Sequence, residues 1–290
     1  MPTKIEKDTF TGKDTTGHEW DGVKELNTPL PKWWVYTFYA TVLWALVWFA
    51  LYPSWPGIHS YFPGLVGYST RGELDQRIAA AAERRAPMLG RIRTTDLQKI
   101  RADADLLNLS LAGGRVAFAE NCVPCHQAGG AGTKGFPNLA DDIWIWGGSP
   151  EEIHRTVAYG VRNANSESHQ SQMPRFGLDK ILSAAEIDDA TDFVLSLSRA
   201  GNVPADKIQR GNKLFADNCA ACHGDKGTGN KELGAPNLTA GIWLYGGDKA
   251  SIAETISTGR GGSMPAWSER LDPAIVKMLA IYVHALGGGQ

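Results

Sequence analysis

The longest apolar stretch of the sequence lies near its start. Residues 33–52 contain no charged side chain, and about 20 such residues are needed for a helix to cross a hydrocarbon core of about 30 Å. A cleaved signal peptide has a shorter apolar core that ends in small residues, and the Pro- and Trp-containing sequence after residue 52 lacks that pattern. The sequence therefore predicts one transmembrane helix at residues 33–52.

The flanks of this helix indicate its orientation. Lys13, Lys24 and Lys32 precede it, whereas residues 53–70 contain neither Lys nor Arg. Positively charged flanks stay on the cytoplasmic side of a membrane. We therefore expect residues 1–32, which are polar and aperiodic, to be a largely disordered cytoplasmic tail. The rest of the chain would lie on the periplasmic side of a bacterial inner membrane.

Residues 53–107 differ in composition from everything around them. They begin with a run rich in Pro, Gly and aromatic residues, which predicts either an interfacial cap or a docking surface. Residues 70–107 are rich in Ala, Arg, Leu, Asp and Glu and are interrupted by Pro87 and Gly90. Because Pro and Gly end or weaken helices, this segment predicts two charged helices that form a solvated spacer.

The remaining sequence is an internal repeat. Shifting it by 97 positions brings Gly114 onto Gly211 and Phe118 onto Phe215. After two inserted positions the match continues with Pro137-Asn138-Leu139 on Pro236-Asn237-Leu238 and Trp144 on Trp243. Met173-Pro174 then corresponds to Met264-Pro265, after a loop that is longer in the first repeat. Each copy ends in an apolar-periodic helix. Two copies of this length predict duplicated domains rather than a solenoid, at residues 108–200 and 201–290.

The charge balance and the cysteine motifs restrict the functions that the chain can have. Lys and Arg total 29 against 31 for Asp and Glu, so the basic excess typical of nucleic-acid-binding proteins is missing and no nucleic-acid partner is expected. The four cysteines form two C-x-x-C-H motifs, at residues 122–126 and 219–223. This is the attachment pattern of c-type haem. The predicted attachment thiols are Cys122, Cys125, Cys219 and Cys222, and the predicted axial imidazoles are His126 and His223.

A sixth iron ligand is expected from methionine, whose soft thioether closes many electron-transfer haems. Met173 and Met264 occupy equivalent places in the two repeats, 47 and 41 residues after the histidine of their motifs. His154 and His169 lie in the same part of the first repeat and are competing ligands there. The corresponding part of the second repeat contains no histidine.

The order Gly-x-x-x-Phe, C-x-x-C-H, Pro-Asn-Leu, Met-Pro and an aromatic residue in a last helix resembles the class I cytochrome c domain, present twice. The resemblance implies that the carbonyls of Pro137 and Pro236 accept a hydrogen bond from the ligand histidines. It also implies a crossing of first and last helices within each repeat, with Gly114 and Phe118 on Phe193, and Gly211 and Phe215 on Tyr282. The expected haem-propionate contacts are Trp144, Trp243, Arg162 and Arg260.

The arrangement of the whole chain resembles the dihaem subunit III (FixP/CcoP type) of cbb3-type cytochrome c oxidases. That resemblance implies an all-α fold with one N-terminal transmembrane helix and two tandem class I cytochrome c domains, which carry two covalent haem c groups. It further implies a relay that takes electrons from a soluble or membrane-bound cytochrome c. A monohaem cytochrome subunit and a haem–copper catalytic subunit would receive them, and this chain would have no catalytic site of its own.

Three alternatives remain open from the sequence. A dihaem cytochrome c peroxidase requires an iron with an open or switchable sixth position, against which the paired Met-Pro motifs argue. A cytochrome subunit of a periplasmic dehydrogenase would also transfer electrons, and sequence separates it poorly from an oxidase subunit. A redox or gas sensor with a vacant haem would change its spectrum with carbon monoxide.

Overall fold

The computed structural model describes residues 4–198 and 203–288. Within them the chain divides into a first unit that ends at Arg84 and a second that begins at Arg85. The first unit starts with a two-stranded antiparallel hairpin of β1 (Thr15–Trp20) and β2 (Val23–Leu26). Asp21 and Gly22 form its turn with positive φ values of 46° and 86°, as tight hairpin turns require. The expectation of a largely disordered tail is therefore wrong for residues 15–26.

The membrane-spanning prediction is confirmed as a single continuous helix, α1 (Lys32–Leu51). It is long and apolar enough to cross a membrane, and none of its residues is buried within the protein. The chain then folds back on the end of this helix, because the amides of Leu65 and Val66 donate to the carbonyls of Ala50 and Leu51 at 3.1 Å each.

A long helix, α2 (Thr70–Thr94), follows and continues through Pro87. The predicted division into two helices at that proline is therefore wrong: Pro87 removes one amide donor from the helix but does not end it. The prediction of a solvated spacer is also wrong for the end of α2. Ile92 is fully buried and packs with Leu97 and Ile100 of the next helix against Met278 and Ile281.

The second unit is entirely helical in its regular structure, over the residues that the structure describes. Its helices are α3 (Leu97–Ala102), α4 (Ala104–Asn121), α5 (Val123–His126), α6 (Pro150–Tyr159), α7 (Ala184–Ser198), α8 (Ala205–Asn218), α9 (Ala220–His223), α10 (Lys249–Thr258) and α11 (Pro273–His284). The expected helical architecture is confirmed for this unit.

The helices that cross are not those expected from the repeats. Gly114 of α4 lies against Tyr282 of α11, and the rings of Phe118 and Tyr282 are 5.4 Å apart. The predicted packing of Gly114 on Phe193 is wrong. A repeat shows which residues have equivalent roles but not which copies pair, so the sequence was compatible with both pairings.

The second helix crossing also joins helices of different repeats. Gly211 of α8 lies against Phe193 of α7, whose ring is 5.2 Å from that of Phe215. The predicted packing of Gly211 and Phe215 on Tyr282 is wrong as well. Helices α7 and α8 are separated by a few residues in the chain, and such neighbours commonly pack as an antiparallel pair.

The second unit therefore consists of two halves that do not coincide with the sequence repeats. The continuous half, residues 173–258, contains α7, α8 and α10 around one hydrophobic cluster. The split half, residues 104–159 and 264–288, contains α4, α6 and α11 around another. Two crossover segments, residues 160–172 and 259–263, connect the halves.

Candidate haem sites

Each C-x-x-C-H motif forms one helical turn directly after the first helix of its repeat. Cys122 follows the end of α4, and its carbonyl accepts hydrogen bonds from the amides of Cys125 at 3.1 Å and His126 at 2.8 Å. The second motif repeats this geometry, with distances of 3.1 and 2.9 Å from the Cys219 carbonyl. The turn brings two thiols and one imidazole together, as thioether attachment and iron ligation by one motif require.

The two thiols of each motif differ in environment. Cys122 and Cys219 are half-buried, and burial, assisted by the neighbouring cysteine, raises the pKa of each thiol to about 11. Cys125 and Cys222 are exposed. In each motif, the first thiol therefore faces the protein interior and the second lies at the surface.

Both histidines make the hydrogen bond expected of an iron ligand. The Nδ1 atoms of His126 and His223 each lie 3.0 Å from a carbonyl oxygen, that of Pro137 and that of Pro236. A carbonyl only accepts, so Nδ1 carries the proton in each ring. Burial lowers the pKa of both histidines, and the carbonyl contact opposes this only in part. The neutral tautomer leaves Nε2 with a lone pair for a metal.

The structure groups each methionine with the motif of the other repeat. Met264 packs on the cluster of the split half, together with Cys122 and Trp144. Met173 packs on the cluster of the continuous half, together with Cys219 and Trp243. The repeats pair each methionine with the histidine that precedes it in the same repeat. In the structure, each methionine instead packs on the same cluster as the first cysteine of the other repeat's motif.

The main chain holds Met264 in place. Its amide and carbonyl pair with the carbonyl and amide of Val161 at 2.8 and 3.0 Å, and the Asn163 side-chain amide donates to the Met264 carbonyl at 2.7 Å. Beside the other methionine, a Cβ on Gly259 would lie only 2.5 Å from the Met173 carbonyl oxygen. Gly259 has a φ of +60°, so both space and conformation require glycine there.

The competing histidines have other environments. His169 stacks on Trp146 with ring centroids 4.1 Å apart, and its Nε2 lies 3.2 Å from the Thr156 hydroxyl. Burial lowers the pKa of His169, and Arg155 and Arg162 contribute. The pKa of the half-buried His154 on α6 is also lowered, mainly by burial. The ring of His169 is thus engaged by protein groups.

The two tryptophans expected to contact haem propionates differ in their hydrogen bonding. Trp144 donates its indole N–H to the Gly288 carbonyl. The indole N–H of Trp243 is buried and has no hydrogen-bond partner among the described residues. A buried donor without an acceptor is costly, and a haem propionate is an acceptor of the required kind. Together with the thiols, imidazoles and thioethers, this orphaned donor fits haem c.

The two arginines expected to contact haem propionates also differ in their hydrogen-bond partners. Arg162 donates from Nε to the Gly262 carbonyl at 2.7 Å and from Nη1 to the Ser171 carbonyl at 2.8 Å. Arg260 donates to Ser251, Glu254 and Thr255, all on α10. Its guanidinium carbon lies 4.7 Å above the Tyr245 ring.

A contact between the two halves was missed by the sequence analysis. The amide of Gly135 donates to the Leu244 carbonyl at 2.8 Å. Gly234 lies directly against the Trp146 ring, and Gly135 lies near the Tyr245 ring. Trp146 and Tyr245 follow Trp144 and Trp243 by two positions in the two repeats. The repeat alignment shows that Trp146 and Tyr245 are equivalent, but it does not show that each ring contacts the opposite half.

Comparison with known proteins shows the family of this chain. Residues 12–59 match the family model described as the N-terminal domain of cytochrome oxidase-cbb3, FixP. Residues 111–198 match that of cytochrome c, and residues 206–283 that of cytochrome C oxidase, cbb3-type, subunit III. The cbb3-type cytochrome c oxidase subunit FixP of Azorhizobium caulinodans is 51% identical over 96% of this chain and 94% of its own.

Two further relatives cover nearly the same length. FixP of Bradyrhizobium diazoefficiens is 49% identical over 100% of both chains, and CcoP of Azospirillum brasilense is 48% identical over 98% of this chain and 99% of its own. The chain belongs to the FixP/CcoP family of cbb3-type oxidase subunits. As a member of this family it contains two cytochrome c domains, which imply haem c binding, and it is a subunit of a larger complex.

Proposed function

We propose that this chain is a membrane-anchored cytochrome with two covalent haem c groups, which passes electrons from a cytochrome c donor to the catalytic core of a cbb3-type terminal oxidase. The observation that carries the proposal is the pair of equivalent sites. Each combines a C-x-x-C-H turn, a histidine Nδ1 at 3.0 Å from a proline carbonyl and a methionine on the same hydrophobic cluster. Haem c, when bound, supplies a one-electron ferric–ferrous couple.

The residues of each site would attach and hold this group. Cys122 with Cys125, and Cys219 with Cys222, would form the thioethers. In the split half, the iron ligands would be His126 and Met264. A histidine fixed through Nδ1 keeps its orientation in both oxidation states, and a thioether donor raises the reduction potential.

The second site would be equivalent. In the continuous half, His223 and Met173 would provide the iron ligands, and the orphaned indole N–H of Trp243 would donate to a propionate. Trp144, Arg162 and Arg260 are the remaining expected propionate contacts. Two closed irons suit electron transfer better than binding of a substrate.

The partners follow from the same proposal. Among the described residues one helix is suited to cross a membrane, which is too little to enclose an oxygen-reducing site, so catalysis belongs to another subunit. We infer that a haem–copper catalytic subunit and a monohaem cytochrome subunit are the electron acceptors. Because Lys13, Lys24 and Lys32 precede α1, the N-terminus would be cytoplasmic and the haem sites periplasmic.

Purification of the complex tests this function. A tagged chain, expressed in a Gram-negative bacterium and extracted in mild detergent, should bring with it a haem–copper subunit. The preparation should reduce oxygen when supplied with reduced cytochrome c. Replacing Cys219 and Cys222 by alanine should abolish this activity without preventing co-purification. Co-purification with a dehydrogenase instead would contradict the oxidase assignment.

The peroxidase and sensor alternatives have a separate test. Both require an iron that is open to an exogenous ligand, whereas the proposed irons are six-coordinate. The purified chain should therefore turn over hydrogen peroxide slowly, and its spectrum should not respond to carbon monoxide. Rapid peroxide turnover would favour the peroxidase.

A further inference from the structure

The two crossover segments meet at Arg162. This residue lies at the start of the first segment, residues 160–172, and its Nε donates to the Gly262 carbonyl of the second segment at 2.7 Å. Its Nη1 donates to the Ser171 carbonyl, near the end of its own segment, at 2.8 Å. Gly262 precedes Met264 by two positions, and Ser171 precedes Met173 by two positions. One guanidinium therefore joins the two peptide segments that lead into the methionines.

The backbone around Arg162 is fixed as well. Its amide donates to the His169 carbonyl at 2.6 Å, and its carbonyl accepts from the Ser263 hydroxyl at 3.1 Å. Arg162 has a φ of +47°, a left-handed conformation that is unfavourable for a side chain of this size. Such strain persists only where surrounding contacts impose it.

The guanidinium is well suited to this position. Arg162 is half-buried, and burial lowers its pKa, but an arginine remains charged in a protein. Its planar fork of donors can contact two separate carbonyls at once, which the single ammonium of lysine does less well. The two hydrogen bonds of its guanidinium both go to main-chain carbonyls, those of Gly262 and Ser171.

The equivalent residue of the second repeat behaves differently. Arg260 bonds to Ser251, Glu254 and Thr255, which all belong to the continuous half. It therefore ties the second crossover segment to one half only. This difference between repeat-related arginines provides a matched control within the same chain.

We propose that Arg162 is a positioning residue for the sixth ligands of both haems, which links the coordination of one iron to that of the other. The proposal rests on the proposed function, in which Met173 and Met264 each close an iron. Loss of the guanidinium would release both crossover segments. Methionine coordination would then weaken at the two irons together, although Arg162 itself ligates neither.

The test uses the full-length chain in detergent, in two backgrounds that each carry one haem. Replacing Cys122 and Cys125 by alanine leaves the haem of the continuous half, and replacing Cys219 and Cys222 leaves that of the split half. The readouts are the sulfur-to-iron charge-transfer band of the ferric protein and the reduction potential. Arg162→Ala should reduce the band and lower the potential in both backgrounds. Arg260→Ala frees only the second crossover segment, which leads into Met264, so it should not weaken the band in both backgrounds together.

Two further observations keep the outcomes distinct. Arg162→Lys retains the charge and should preserve the fold, as judged by helical circular dichroism, while it still weakens the band in both backgrounds. If Arg162→Ala and Arg162→Lys change one haem only, or neither, the linkage is refuted. If the parent chains lack the band, methionine ligation itself fails, and the positioning role fails with it.

Discussion

Gly211 lies so close to Phe193 that a Cβ on the glycine would be 2.6 Å from the Cβ of the phenylalanine. The glycine belongs to the first helix of the second repeat, and the phenylalanine to the last helix of the first. This contact defines the continuous half, because it joins α7 to α8 across the boundary between the repeats. The equivalent contact of Gly114 with Tyr282 closes the split half.

The first prediction concerns this crossing. Gly211→Ala should destabilise the protein by about 1–3 kcal/mol, because an added methyl group overpacks a tight helix contact. Gly90→Ala is the control: Gly90 lies in α2 with open space around it, and alanine in such a position stabilises a helix by about 0.5–1 kcal/mol. Urea unfolding followed by circular dichroism measures both. Equal effects of the two substitutions would show that α7 and α8 do not cross at Gly211.

The second prediction concerns the orphaned indole N–H of Trp243. Trp243→Phe should destabilise the haem-loaded protein by about 1–3 kcal/mol, because a buried propionate would lose its donor, and should shift the potential of the haem on Cys219 and Cys222. In Trp144→Phe the lost partner is the Gly288 carbonyl, so that potential should remain unchanged. If the N–H has no partner in the loaded protein, Trp243→Phe will be neutral in stability and potential.

The third prediction is a pH dependence. Asp188 of α7 contacts Lys207 of α8 and Lys249 of α10. These contacts lower the pKa of Asp188 from 3.8 to about 2, and the hydrogen bond with Lys207 has the largest effect. A carboxyl group with a lowered pKa stabilises the folded state above its unfolded pKa, and the contribution disappears as the pH falls through the folded pKa. The Asp188 side chain is 44% exposed, so the contribution at neutral pH is small, about 0.2–1 kcal/mol.

Comparison with Asp188→Asn isolates this contribution. At pH 7 the variant should unfold at slightly lower urea concentration than the wild type, and the difference should shrink as the pH falls from about 4 towards 2, the interval set by the two pKa values. A difference that persists at the acidic end would assign the effect to packing rather than to charge.

Much of this protein could be predicted from its sequence because the relevant signals are local. The C-x-x-C-H turns, the hydrogen bonds from His126 to Pro137 and from His223 to Pro236, and helix α1 each depend on short stretches of chain. The Asp21-Gly22 hairpin was also a local signal, but the polar composition around it led to an expectation of disorder.

The exchange of halves could not be predicted in the same way. Gly114 and Gly211 are equivalent in the repeat, as are Tyr282 and Phe193, so each glycine fits either aromatic residue. Only the three-dimensional course of the crossover segments decides which pair forms. The roles of Arg162 and Arg260 diverge for the same reason, since one contacts both crossover segments and the other contacts α10.

The fourth prediction tests the central claim, that each methionine closes the iron held by the other repeat. The chain with Cys122 and Cys125 replaced by alanine retains only the haem on Cys219 and Cys222, within the continuous half. In that background Met173→Ala should remove the sulfur-to-iron charge-transfer band, and Met264→Ala should leave it intact. If Met264→Ala removes the band and Met173→Ala does not, each repeat provides its own methionine, and the exchanged arrangement of the two halves is contradicted.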